Sequence, residues 1–384
     1  MGVDGAVVAF WVCASWLAYV YVGYPVAVLC LGRVRHRAVR KGPHTPLVTI
    51  VIAAHNEERA IGETLRNKLA LEYPRDRLDI VVVSDGSTDR TDEIVRGFAS
   101  EGVRGIRQEP RQGKTAALNR AVAEARGEVI VFSDANSLYH RDAVRHLAAN
   151  FTDPTVGYVT GRLSYLHDHG SAVGGGCSSY MRYEDALRRA ESRLGSLVGV
   201  NGGIDAVRAS AYRRMPPNEL PDLALPLLVI EQGYRIVYEP DALLYEEALT
   251  DARGEYRMRV RVALRALSTL AAHRRLLNPM RSGVYAVQLW SHKVLRYGAF
   301  IPFAGLLAAN LALAPHGRFF LAALIAQSAG YAGALLGWRL DRRGRRSRLA
   351  STLFYFSLVN VAAAHACWKW LWGERRVVWN PRGG

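Results

Sequence analysis

The chain has 384 residues, half of them apolar, and carries 50 Lys and Arg against 34 Asp and Glu, a net charge of +16. That length accommodates two ordinary domains, and the positive excess suits nucleic acid, an anionic membrane surface or a phosphorylated substrate. The basic runs at 33–41 and 339–348 sit beside apolar stretches, which favours membrane-topology signals over a nucleic-acid face. The four cysteines, Cys13, Cys30, Cys177 and Cys367, lack metal-ligand spacing and three lie in apolar runs, so neither a zinc site nor a disulfide framework is expected.

Residues 6–32 are apolar, uncharged and long enough to span a bilayer. A cleavable signal peptide fits them poorly: no basic region precedes them, the run is too long, and strong basic charge follows. That charge should stay cytoplasmic, which puts the amino terminus outside. From Pro46 the composition becomes that of a soluble α/β domain. Residues 47–54 predict a buried strand, followed by His55-Asn-Glu-Glu58 and a helix to about Leu71. Residues 79–84 predict a second strand ending in Asp85-Gly-Ser-Thr-Asp89, then a helix to about Ser100. Residues 114–126 predict a helix leading into a strand at 129–133; a helix at 142–151 and a strand at 156–163 follow. Such alternation implies right-handed crossovers and a mostly parallel sheet, in which ligands collect at the carboxyl ends of strands. Three successive strands end in polar clusters, at 55–57, 85–87 and 134–136, and together they mark a binding site.

The third cluster is the most informative. Asp134 and Asn136 are spaced i, i+2, so an extended chain presents both on one side. Two hard oxygen ligands at a buried strand's carboxyl end suit Mg²⁺ or Mn²⁺ together with a diphosphate. A strand ending in a polar turn is the alternative, because Asp and Asn are common turn residues.

Further along, residues 167–176 predict a loop, and 177–194 an amphipathic helix carrying Tyr180, Tyr183 and Glu184. Residues 200–203 predict a permissive turn. Asp222 precedes a short helix ended by Gly233. Residues 235–238 and 242–245 predict two short strands, and 255–277 a basic helix with Arg257, Arg259, Arg261 and Arg265. Residues 284–296 predict an interfacial helix, and 297–315, 319–338 and 350–372 three spans. The arginines of 339–348 place that loop in the cytoplasm and the carboxyl terminus outside, against which Arg375 and Arg376 argue. The expected organisation is a membrane helix and basic segment at 1–45, a catalytic α/β domain at 46–278, and an interfacial helix with membrane helices at 279–384.

Several motifs fail. Gln112-Gly113-Lys114-Thr115 matches the end of a P-loop, but position 108, where its first glycine belongs, is Gln108. Residues 85–89 lack the glycine and terminal glutamate of a calcium loop. Residues 174–176 lack the strand-then-helix context of a dinucleotide fingerprint.

What holds is an ordered set. Ala53-Ala-His-Asn-Glu-Glu58, Tyr73-Pro74, Val82-Val-Ser-Asp-Gly-Ser-Thr-Asp89 and Gly113-Lys-Thr-Ala-Ala-Leu-Asn119 come first. Ala125-Arg-Gly-Glu128, Phe132-Ser-Asp-Ala-Asn136, Asn201-Gly-Gly203, Asp222 before Leu-Ala-Leu-Pro-Leu, and Gly233-Tyr-Arg-Ile-Val-Tyr238 follow. Ser291-His-Lys-Val-Leu-Arg296 and residues 373–379 complete it. From about residue 46 onward the chain resembles the membrane-bound family 2 glycosyltransferases, the group of the hyaluronan, cellulose and poly-N-acetylglucosamine synthases.

The resemblance implies a GT-A fold, a nucleotide-sugar donor, a divalent cation (Mg²⁺ or Mn²⁺) and an inverting mechanism. Ala53, His55, Glu57 and Asp85 would hold the base and ribose, with Asp85 accepting a hydrogen bond from a base, most simply uracil; a turn aspartate bonding its own backbone is the other reading of Asp85. Lys114 would lie near the base or diphosphate, or be a solvated helix-start lysine. Asp134 and Asn136 match the metal motif. The family more usually has two aspartates there, so Asn136 supplies one charge less and serves either the metal or the sugar. Asp222 matches the base that takes the acceptor hydroxyl proton, or caps the helix behind it. Pro221 stands where the family usually has another acidic residue, which leaves Glu219 as a nearby substitute. Processive members carry Gln-x-x-Arg-Trp where this chain has Met258, Arg261 and Val262. The surviving Arg261 would pair with the diphosphate, unless that helix simply faces the membrane. Tyr183, Glu184, Asn201 and Gly202 are the expected acceptor contacts. The partners implied are a nucleotide sugar, a carbohydrate or glycolipid acceptor and the lipid bilayer, with no nucleic acid. A sugar-nucleotide sensor on the same fold is the competing function, against which the joint presence of Asp85, Asp134 and Asp222 argues. A transporter needs more spans than the chain offers.

Overall fold

The structure, a computed structural model, describes residues 3–165, 172–246, 251–345 and 347–374. Of the loop expected at 167–176, residues 167–171 lie outside the described residues and residues 172–176 belong to the helix Ala172–Leu194, which starts five residues earlier than expected; the motif beyond Glu374, with Arg375 and Arg376, also lies outside. The chain begins with α1 (Val3–Val34), one continuous helix with a π-turn at Tyr19–Gly23. A single eight-stranded sheet follows, in the order β3-β2-β1-β4-β7-β6-β8-β5. β1 (Val48–Ala54), β2 (Leu78–Asp85), β3 (Val103–Gln108) and β4 (Val129–Asp134) are parallel. β5 (Leu138–Tyr139) is an antiparallel edge on β8 (Arg235–Glu246). β7 (Ile204–Arg208) runs antiparallel between β4 and β6 (Val156–Tyr165), and β8 is parallel to β6. The sheet is mixed and mostly parallel, as expected.

All seven residues of β1 are buried, because helices cover both faces of the sheet and a strand in such a sheet alternates between two cores. Ile50, Ile52, Ile80 and Val82 meet Ile61 and Leu65 of α2 (Ile61–Leu69) on one side. Val51, Ala53, Val81 and Val83 meet Leu118 and Ala121 on the other. The remaining helices of this part are α3 (Thr91–Gly97), α4 (Lys114–Ala123), α5 (Ala143–Ala149), α6 (Ala172–Leu194), α7 (Pro221–Glu231) and α8 (Ala252–Ala272).

The two short strands expected at 235–238 and 242–245 are one strand, β8. Its register against β6 slips between Thr160 and Arg162, and that irregularity absorbs Pro240, a residue a sheet tolerates only at edges and bulges. Opposite the slip, a Cβ on Gly161 would lie 2.5 Å from the Ala242 carbonyl oxygen, so the two backbones approach where only glycine fits.

Beyond the sheet, α9 (Val284–Tyr297) and α10 (Phe300–His316) are bent by 58° and count as one candidate span together. The span expected at 297–315 is thus the second arm of a bent pair, joined to the segment expected to be interfacial. α11 (Arg318–Asp341) and α12 (Arg348–Leu371) are long and apolar enough to cross a membrane, as is α1. Phe10 of α1 packs edge-on against Phe319 and Phe320. Further along, Tyr24 and Val28 of α1 pack on Leu187 and Ala190 of α6.

Candidate active site

Parallel pairing brings the polar clusters together. Ala53 is opposite Val83 on one side and Asp134 on the other, so the segments after β1, β2 and β4 leave one edge side by side. The first two are laced to each other. Asn56, held at φ +54°, accepts from the Thr88 N–H at 2.8 Å, and its own N–H donates to Ser87 Oγ at 3.1 Å. The Glu57 N–H donates to Thr91 Oγ1 at 2.8 Å. His55 lies beneath, with Nδ1 at 2.8 Å from the Asp85 carbonyl oxygen.

Asp85 is fully buried. One carboxylate oxygen accepts from Gln108 Nε2 at 2.7 Å and the Gln112 N–H at 2.8 Å, the other from the Gly113 N–H at 2.7 Å. It therefore ties down the loop entering α4 and sets Lys114 at the helix start. Neither Asp85 nor His55 lines the cavity that opens at this edge.

That cavity, about 160 Å³, is walled by Ala53, Glu57, Lys114, Asp134 and Asn136 from the first half of the sheet. Asn201, Asp222 and Arg261 face them from the second half. Eight expected site residues thus converge from strand ends, a turn and three helices. Lys114 forms an ion pair with Asp134. Burial opposes the lysine's charge, but Asp134, then Asp222 and Glu246, outweigh it and hold the ammonium above its usual range. The Glu57 carboxyl is pushed up to about 7, first by burial and then by the charges of Asp134 and Asp89.

Asp222 sits in the first turn of α7. The helix is capped by Leu220 without a side-chain bond and has Pro221 at its start, so Asp222 is not the capping residue. The positive end of the helix favours its ionised form. Directly against it is Gly202, at φ +81°, where a Cβ would lie 2.5 Å from Asp222 Cγ. The Gly202 N–H donates to Asp205 Oδ2 at 2.9 Å, and the same carboxylate accepts from the Tyr158 and Thr160 hydroxyls. Glu219, the nearby substitute, is turned elsewhere: its carboxylate is 3.2 Å from Nε2 of His273, whose Nδ1 is 3.0 Å from Glu231. Asp222, not Glu219, faces the cavity.

Two further charged cavity residues were given no role in the site from the sequence. Arg265 of α8 is buried and donates to Thr115 Oγ1 at 2.8 Å and to the Pro217 and Glu219 carbonyls. Glu246 accepts from Ser137 Oγ at 2.7 Å. It ends β8, whose carboxyl end lies on the same edge as those of β1, β2 and β4, so the strand-end rule would have found it had β8 been read as one strand. Tyr183 and Glu184 lie away from this cavity. Glu184 is buried between Arg296 Nη1 at 2.6 Å and His292 Nε2 at 3.2 Å.

Glu57, Asp134, Asn136 and Glu246 offer hard oxygen donors of the kind Mg²⁺ and Mn²⁺ take. Among the described residues, three candidate ligand atoms from His, Cys, Asp or Glu fall within 4.8 Å of one another only at His146, Glu239 and Asp241, outside the cavity. A cation at Asp134 would thus take one or two protein carboxylates and complete its shell with substrate oxygens, the habit of Mg²⁺ at phosphate sites.

Comparison with known proteins agrees with this geometry. Residues 49–209 match the profile of Glycosyl transferase family 2. The probable glycosyltransferase YdaM of Bacillus subtilis (strain 168) is 29% identical over 233 residues, 57% of this chain and 54% of that protein. The poly-beta-1,6-N-acetyl-D-glucosamine synthase of Staphylococcus aureus is 27% identical over 223 residues, 56% of this chain and 53% of that protein. The chain spans about half the length of these curated relatives. A structure of the mannosyltransferase PcManGT from Pyrobaculum calidifontis, in complex with GDP-Man and Mn²⁺, superposes with a TM-score of 0.72 at 24% identity, covering 95% of this chain and 99% of that one. The fold, the profile match and the arrangement of strand ends agree: residues 49–209 are similar to Glycosyl transferase family 2, and the sheet that carries them has the GT-A fold.

Proposed function

We propose that the enzyme moves a sugar from a nucleotide diphosphate to a hydroxyl acceptor presented at a membrane, with inversion and with Asp222 as the base. The observation that carries this reading is the placement of Asp222 in one cavity with Lys114, Arg261 and Arg265. The acceptor oxygen bonds to the anomeric carbon as the bond from that carbon to the phosphate oxygen breaks; the hydroxyl proton passes to Asp222 and the bonding pair leaves with the nucleotide diphosphate. Lys114, Arg261 and Arg265 offset the charge growing on the leaving group. Asp134 and Asn136, with Glu57 or Glu246, would hold the divalent cation, which when bound neutralises diphosphate charge. Asp85 and His55 act by shaping the loops around the base, since the Asp85 carboxylate already accepts three hydrogen bonds. Residues 46–278 form the catalytic domain on the cytoplasmic side, with membrane helices in 1–45 and 279–384.

The test uses the full chain in detergent with a panel of UDP- and GDP-sugars and Mg²⁺ or Mn²⁺, because the uracil expected from the sequence and the GDP-Man of the PcManGT structure differ in base. One donor should release nucleotide diphosphate. Asp222→Asn should slow that release on the order of 10²- to 10⁴-fold while nucleotide binding persists; unchanged turnover would remove Asp222 as the base.

A further inference from the structure

A second cavity, about 310 Å³, lies on the other side of α8. Met258, Arg261 and Arg265 of that helix face the donor cavity, Arg259 and Ala263 face the second, and Val262 lines both. The far wall is α12: Thr352, Tyr355, Phe356, Val359, Asn360 and Ala363 follow one another at helical spacing, a continuous stripe along a candidate membrane span. The cavity's head is cationic and aromatic. Arg259 stacks over Tyr180 and Tyr355, and Arg296 over Tyr180 and Tyr183. Both guanidiniums have acidic partners, Glu255 and Glu184. Lys293 also lines the cavity, is half-buried, and among the described residues has no hydrogen-bond or ion-pair partner.

A partly desolvated ammonium whose facing carboxylates, Glu184 and Glu191, are already taken by Arg296 and His292, set at the head of an apolar slot along a membrane helix, is complementary to an anionic group on a hydrocarbon chain. A phosphate provides that charge as well as acceptors for Lys293. We propose that this cavity binds the phosphate headgroup of a membrane lipid, its chain lying along the α12 stripe, and that the lipid carries the acceptor hydroxyl, which reaches Asp222 past Val262. The lipid site stands on its own geometry; only its acceptor role rests on the function proposed above.

The test separates the two. Full-length protein is extracted from phosphatidylcholine vesicles doped with a long-chain isoprenoid phosphate or with the parent alcohol, and the lipid retained is measured by native mass spectrometry without donor. Wild type should retain the phosphate and not the alcohol, Lys293→Gln should lose roughly tenfold in retention, the loss of about one charge-assisted contact, and Lys293→Arg should restore it. Equal retention of phosphate and alcohol, or of wild type and Lys293→Gln, overturns the site; displacement by dilute inorganic phosphate makes it a site for a soluble anion and overturns the lipid. With donor present, a lipid bearing a sugar on that phosphate should stimulate nucleotide release, whereas absence of stimulation removes the carrier role. An Asp222→Asn enzyme with undiminished turnover would defeat the catalytic reading and leave the lipid site standing.

Discussion

At the scale of single residues, Gly202 and Asp205 decide how Asp222 is held. Gly202 combines a left-handed backbone with a contact no Cβ can enter. Gly202→Ala should therefore cost on the order of 1–3 kcal/mol in strain and push the Asp222 carboxylate aside, so that kcat falls at least tenfold while donor affinity changes little; a kcat matching wild type would show that Asp222 has room to move. Asp205 sits below that turn with its carboxyl raised from 3.8 to about 7, chiefly by burial and in part by the charge of Asp222, against hydrogen bonds from Thr160, Tyr158 and Gly202. A carboxyl whose pKa is higher folded than unfolded contributes most below the unfolded value and loses that contribution as pH rises through the folded one. Wild type should thus lose stability between about pH 4 and 7 through this group. Asp205→Asn lacks that slope, and the difference in melting temperature between wild type and variant should shrink as pH rises across that window. A constant difference would mean that Asp205 stays ionised throughout.

Among elements, legibility follows burial and continuity. β1, β2 and β4 are unbroken apolar runs because both their faces are covered, and their polar ends stand out by contrast; Asp134, Lys114 and Glu57 could be placed from that contrast together with the family order. β3 escaped because it lies at the edge of the sheet and alternates, Val103 and Gln108 buried with exposed or half-buried residues between. β7 escaped because it is five residues long and follows directly on the glycine turn at 201–203. β8 was split by Pro240, and with it went Glu246, whose position at the site depends on the strand continuing past the bulge. Arg265 could be seen as one arginine of a basic helix, but which face of α8 meets the cavity depends on packing against α7 and α12, and no local pattern encodes that.

At the scale of the whole molecule, two sources of membrane affinity can be told apart. A net charge of +16 would hold the chain to anionic lipid only until salt screens it, whereas α1, α11, α12 and the bent pair are apolar in length and composition. The chain should stay with the membrane through a high-salt wash and leave only with detergent; release by salt alone would make those helices peripheral. One dimension then matters. At 1.5 Å per residue, the 32 residues of α1 reach about 48 Å, while a bilayer's hydrocarbon core is about 30 Å thick. As a span, α1 would have roughly a third of its length to spare, enough to reach the contacts that Tyr24 and Val28 make with α6. On the function proposed above, anchor and catalytic unit would then share one stiff rod. The reaction would be confined to a thin layer at constant height over one leaflet, where a substrate riding in the same membrane meets it and one on a facing membrane does not.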